Sequence, residues 1–370
     1  MTPAILTLAL VLSADPAAVK HATPDATVAS ATTSAAPEAM AAEAPAADAV
    51  TVDQAPAPAA PVVMARREGR RRGSMVGYIE DGTIQSHVRV RFDSSGGGHA
   101  PDRAEFFYAK CGCYQGLANV DPPAYDPNAP GPAPGVVTDY DAKQLYFEGQ
   151  AAWRNRIAGF VEIPVRWLDP KAFVPGTGSF GSTNGLSDVR AGVKVAITSS
   201  DNHYLTVLLR GDFPSGDPAK GLGTNHGTFV PALLYYQRAG DRFAIESQIG
   251  DFHPLSGSEG VPTSSSDKFS GDVVFYGIGP SFEVVSTDHF RFAPVVELVG
   301  WHVTGGFATQ IPGDVAGVAV AAEGTDIVNL KIGARASFDD RTSIYIGYGK
   351  KLTDAGWYND IVRFEVRVGF

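Results

Sequence analysis

Along much of this chain apolar and polar side chains alternate one for one. In the stretch from Ile84 to Phe92 the even positions are mostly apolar and the odd ones polar, with His87, Arg89 and Arg91 between Val88, Val90 and Phe92. A period of two sends successive side chains to opposite faces of an extended strand. About eleven further strand segments can be proposed, near 143–153, 156–167, 187–198, 203–213, 227–238, 241–250, 270–286, 289–302, 325–338, 341–351 and 358–370. The clearest are 187–198, with Val189, Ala191, Val193, Val195 and Ile197 on one face, and 358–370, with Val362, Phe364, Val366, Val368 and Phe370. In 227–238 both faces are apolar. Each segment is about ten residues or more, long enough to cross a bilayer as a tilted strand.

The links sharpen this reading. Short ones, at Asn155, 199–202, 239–240, 287–288 and 339–340, alternate with long ones at 93–142, 168–186, 214–226, 251–269, 303–324 and 352–357. Short turns on one side and long loops on the other are the habit of outer-membrane barrels. The fold class predicted is all-β, an antiparallel transmembrane β-barrel of about twelve strands. Link 93–142 is long enough to hold a further hairpin, which would make fourteen, or to form a plug or lid. Phe92, Trp153, Trp167, Phe213, Phe243, Phe290, Tyr358 and Phe370 fall near segment ends, as in the aromatic girdles that meet lipid headgroups. Outer-membrane lipids are therefore expected partners. The closing Phe370, on an apolar face, resembles the C-terminal signal read by barrel-assembly machinery.

The first seventy-odd residues do not alternate. An apolar run, Ala4–Leu12, followed by small residues, predicts a signal peptide over 1–18. Residues 19–73, rich in Ala and Pro and ending in the arginine block Arg66–Arg72, read as a disordered periplasmic linker. The barrel is assigned to 74–370.

Composition adds limits. Charged residues make up 19% and mean hydropathy is −0.04, too low for a helical membrane protein and in keeping with strands that are half lipid-facing. The net charge of −10 argues against a nucleic-acid partner. The two cysteines, Cys111 and Cys113, rule out a disulfide scaffold; their spacing disfavours a bridge, and they lack the further ligands of a closed metal site. No nucleotide loop, nucleophile elbow or zinc-protease motif occurs. Outer-membrane phospholipases use a Ser–His pair on about twelve strands, but His87, His203, His289 and His302 have no serine convincingly placed beside them. We expect no catalytic residue, metal or cofactor.

Polar faces turned inward would fill the lumen with nearly balanced charge. The candidates are Asp188, Arg190, Lys194, Arg210, Glu162, Arg166, Glu246, Glu283 and Glu297, joined by Arg89, Arg91, Lys331, Arg335, Arg363, Arg367 and Glu365. Balanced charges can pair across strands, which favours a narrow or partly filled barrel over a wide single-sign pore.

At Gly185–Lys194, with Gly185, Asp188, Gly192 and Lys194 spaced Gly-x-x-Asp-x-x-x-Gly-x-Lys, and on through Leu205–Arg210 to Phe213-Pro214-Ser215-Gly216-Asp217, the sequence resembles the outer-membrane family named for the MetA pathway of phenol degradation. The resemblance spans roughly 143–370. It implies a barrel passing small, aromatic or apolar solutes, with Asp188, Arg190 and Lys194 facing inward. The Ala/Pro-rich extension and the Cys-Gly-Cys loop depart from the family pattern. The alternative expectation is a structural barrel that tethers envelope layers through its N-terminal arm.

Overall fold

The computed structural model describes residues 73–99, 110–119, 125–255, 259–261, 264–310, 318–339 and 341–370. The predicted signal segment, the linker up to its last residue and positions 103–109 of the first long link lie outside the described residues. Twelve strands carry the fold: β1 (His87–Gly98), β2 (Val137–Trp153), β3 (Ile157–Phe173), β4 (Val189–Ser199), β5 (His203–Phe213), β6 (Thr228–Ala239), β7 (Phe243–Pro254), β8 (Val273–Phe282), β9 (Phe290–Val303), β10 (Asp326–Phe338), β11 (Thr342–Lys351) and β12 (Asp360–Gly369). Each pairs antiparallel with its neighbour in sequence, and β12 returns to pair with β1, so the sheet closes and leaves no edge.

All twelve segments expected from the alternation are strands. β1 starts three residues later than predicted and runs on to Gly98, while β2 begins at Val137, so the first long link is shorter than its predicted span. Among the described residues no hairpin from that link joins the ring; they hold a 3-10 turn at Gly112–Asn119. Cys111 and Cys113 are bonded to each other, contrary to the sequence reading. Spacing alone misjudged them because their Cα atoms lie 5.1 Å apart, within the range a bridge spans.

The strands are polar inside and apolar outside. Outward side chains such as Val88, Phe147, Val161, Val193, Ile249, Ile332, Ile346 and Phe364 are exposed, and together they make a continuous apolar band around the wall. A water-soluble protein does not leave so much apolar surface uncovered. Inward side chains, in contrast, are buried; many are charged, and apolar ones such as Phe160, Leu208 and Leu234 lie among them. Trp153, Trp167, Phe213, Phe243 and Phe370 are exposed near strand ends, as a girdle requires. Tyr358 is not: it is buried, because it turns inward to a lysine of β10. Among the described residues no helix is long and apolar enough to cross a membrane, which says nothing about strands.

Tight turns sit at one end. The β2–β3 turn places Arg154 and Asn155 at φ of 50° and 52°, the left-handed pair typical of two-residue hairpins whose twist matches their strands. At the other end the long links pack on one another. Tyr114, Val136, Tyr140, Leu168, Val174 and Phe269 form a buried cluster there, and the Tyr114 hydroxyl lies 2.9 Å from Thr309 Oγ1. The described part of the first link thus packs among the long links at that mouth.

Charge pairing across strands organises the wall. Glu365 on β12 is fully buried and meets Arg335 at 2.8 Å, Arg367 at 3.3 Å and Arg89 at 3.7 Å. Removing one partner of a buried ionic cluster leaves uncompensated charge, at a cost of roughly 3–5 kcal/mol. Glu365→Ala should therefore lower the urea midpoint of the detergent-folded barrel well below wild type; an unchanged midpoint would show that water already screens these guanidinium groups.

Candidate functional site: a hairpin docked in the lumen

Residues 73–86 precede β1 and carry no strand, yet most of them are buried. They enter the barrel at the short-turn end, rise along its interior and return. Gly73 lies beside Gln85, so the two legs stand together at the entrance. The Tyr78 hydroxyl donates to the carbonyls of Gly347 and Ile361, towards the long-loop ends of β11 and β12. On the returning leg Ile84 packs with Ala158, Ala196, Tyr204, Tyr236 and Ala244, back at the short-turn end.

A chain without ladder partners must find other hydrogen bonds for its buried amides and carbonyls. The barrel wall supplies them from charged side chains. The Glu297 carboxylate accepts from the backbone N–H of Gly77 (3.0 Å), Tyr78 (2.8 Å) and Ile79 (2.8 Å), and from the Tyr345 hydroxyl (3.0 Å). Glu246 accepts from Met75 N–H at 3.0 Å. Arg335 donates to the carbonyls of Met75 (3.2 Å) and Val76 (2.7 Å), Arg363 to that of Gly77, Lys194 to that of Asp81 (3.0 Å), and Thr206 to that of Gly82 (2.6 Å). Arg367 pairs with the Asp81 carboxylate. Burial works to raise the Asp81 pKa, but Arg367, Lys194 and the bonds from Thr83 prevail and hold it below the ordinary carboxylate value. Glu80 behaves alike: burial opposes its ionisation, and Lys194, Arg89 and Arg210 outweigh it.

Glycines make room for the hairpin. A Cβ on Gly279 of β8 would lie 2.8 Å from Val76 Cγ1, and one on Gly277 3.1 Å from Ile79. On the hairpin itself a Cβ at Gly77 would overlap the Tyr345 ring. This accounts for Gly277 and Gly279, whereas Gly271 lies against the backbone of Gly305 and Gly306.

Above the hairpin's tip, and below the long loops, lies a chamber of about 170 Å³. Tyr78 and Glu80 form its floor; Arg91, Arg190, Arg210, Lys331 and Arg363 line its sides with Trp301, Phe252 and Phe275. Arg190 meets Glu162 at 3.1 Å, and Arg210 meets Asp212 at 2.8 Å and Glu80 at 3.7 Å.

The residues picked from sequence thus fall into three groups. Arg190 and Arg210 line the chamber, with Glu162 bonded behind Arg190. Lys194, Glu246 and Glu297 hold the hairpin. The other three are at the ends: Asp188 accepts from Gly216 N–H and Thr224, Arg166 donates to the Gly221 carbonyl, and Glu283 pairs with Arg238 and Arg291 beside the β8–β9 turn. Sequence reading missed the hairpin, and with it Tyr78 and Trp301. The available signal was the change at Gly73 from Ala/Pro-rich chain to Met-Val-Gly-Tyr-Ile.

The family model described as the putative MetA-pathway of phenol degradation matches residues 128–250. The resemblance read from Gly185–Lys194 and its neighbours is borne out over that stretch. No curated protein matches the chain. Solved structures that it resembles include an outer-membrane channel from Pseudomonas putida F1 (12% identity, TM-score 0.48, 80% of this chain and 99% of that one). Others are the NanC porin (12%, 0.41, 76% and 98%) and the β-domain of the Bordetella autotransporter BrkA (11%, 0.44, 77% and 100%).

Proposed function

We propose that this outer-membrane barrel, which over residues 128–250 belongs to the MetA-pathway family of phenol degradation, is a channel for passive diffusion of small solutes, closed at rest by its own N-terminal hairpin. The observation that carries the reading is the docking itself: the hairpin is held by wall side chains and pairs with no strand. A segment bonded this way can leave without unzipping the ladder. A barrel of twelve strands lies between the small barrels that side chains fill and the wide porins that stay open. It has room for a pathway and needs little material to close it.

The short-turn end is assigned to the periplasm, as in other barrels of this type. The N-terminal arm then lies in the periplasm, and the hairpin enters from that side. The long loops and the first link face outward. The family suggests small aromatic or apolar solutes. The barrel-assembly machinery, acting on the strand that ends at Phe370, would insert the chain.

In a Gram-negative host the chain should sediment with the outer membrane and run faster on gels unless boiled. Vesicles carrying it should admit a labelled small solute once residues 74–84 are deleted. A chain that stays in the soluble fraction, or vesicles that remain as tight as empty ones after the deletion, would refute the channel.

A further inference from the structure

We infer that the chamber above the hairpin binds a single-ring aromatic monoanion of the benzoate type, with the Lys331 ammonium holding its charge. This rests on the channel reading and narrows its solute. Charge comes first. Five basic side chains line the chamber, and four of them can each be matched to a carboxylate: Arg91 meets Glu162 at 3.3 Å, Arg190 meets Asp212 at 3.7 Å, Arg210 meets Glu80 at 3.7 Å, and Arg363 meets Asp93 at 2.7 Å. Lys331 is the exception. It is 2% exposed, and among the described residues no carboxylate lies within ion-pairing distance of its Nζ. That nitrogen donates to the Tyr358 hydroxyl at 2.7 Å and sits 4.0 Å from the Tyr78 ring centroid. An ammonium has three donors, and one bond to a phenol leaves capacity for a ligand oxygen. A buried cation without a counter-charge is costly, and a ligand carboxylate would supply that charge.

Size and walls select the rest of the ligand. A chamber of about 170 Å³ is close to the roughly 150 Å³ apolar cavity that accepts benzene. Trp301 lines it beside Phe252 and Phe275, whose ring centroids are 4.9 Å apart. These surfaces suit a flat ring. One unmatched positive charge calls for one negative charge, so a dianion would bring a second charge with no partner.

The test is calorimetric titration of the full-length detergent-folded chain with benzoate, benzyl alcohol and acetate. A charge-assisted contact is worth about 1.5–3 kcal/mol, so benzoate should bind tenfold or more tighter than benzyl alcohol. Acetate, without the ring, should bind weakest. Lys331→Gln should erase the advantage of benzoate over benzyl alcohol, and Lys331→Arg should keep most of it. Should Lys331→Gln fail to fold, the wild-type ranking alone decides. Equal binding of benzoate and benzyl alcohol, or of acetate and benzoate, would overturn the inference. A full-length chain that shows no such ranking, while the hairpin-deleted barrel conducts, would refute this site and leave the channel standing. A chain that ranks the ligands as expected but never conducts would do the reverse.

Discussion

Deleting residues 74–84 should turn a poorly conducting barrel into an open pore, with single-channel conductance in planar bilayers rising at least about tenfold, since the lumen then empties from chamber to short-turn end. The splice is geometrically mild, because Gly73 and Gln85 already lie side by side. The wall does not depend on the removed residues for its ladder: every strand pairs with two other strands and none with the hairpin. What the deletion exposes is charged, namely Glu246, Glu297, Arg335, Arg363 and Lys194. Water entering the emptied lumen can solvate these groups, so the loss of their hairpin partners does not leave them buried and unpaired. Unchanged conductance would refute the channel reading together with the hairpin's part in closing it.

The wall and its filling were not equally legible in the sequence. Alternation is a local property, and a closed meander joins only neighbours in sequence, so the strands and their order followed from period and link length. Segment 227–238 shows where the method thins. Its two apolar faces gave no inside or outside, yet in β6 Val230, Ala232 and Leu234 turn inward and pack with Phe275. The hairpin was illegible for a physical reason. Met75 meets Glu246 and Tyr78 meets Glu297 across 171 and 219 positions. No periodicity encodes such contacts. Inward glutamates read as barrel salt bridges because nothing in the sequence says that a backbone will come to meet them. Among the basic residues that line the chamber Lys331 looks like any other in sequence; that no carboxylate of the described residues lies within ion-pairing distance of it appears only in three dimensions.

The second large effect is expected at Glu297. One carboxylate, with no solvent exposure, takes three consecutive backbone N–H groups at the hairpin's tip and one tyrosine hydroxyl. Hydrogen bonds to a charged group are worth about 1.5–3 kcal/mol each, and every ~1.4 kcal/mol changes an equilibrium tenfold. Glu297→Ala should therefore shift the docked hairpin towards release, raising open probability by tenfold or more while the strands stay paired. Glu297→Gln keeps the shape and one acceptor oxygen but loses the charge, so its openings should fall between those of Ala and wild type. Tyr345→Phe removes only the hydroxyl bond and should change open probability little. Single-channel records of the three variants, with gel mobility as the check on folding, separate the cases. If Glu297→Ala gates like wild type, the tip is held by packing of Val76 and Ile79 against β8 rather than by this carboxylate. Replacing Gly279 with Ala, which places a methyl 2.8 Å from Val76 Cγ1, would then become the change that expels the hairpin.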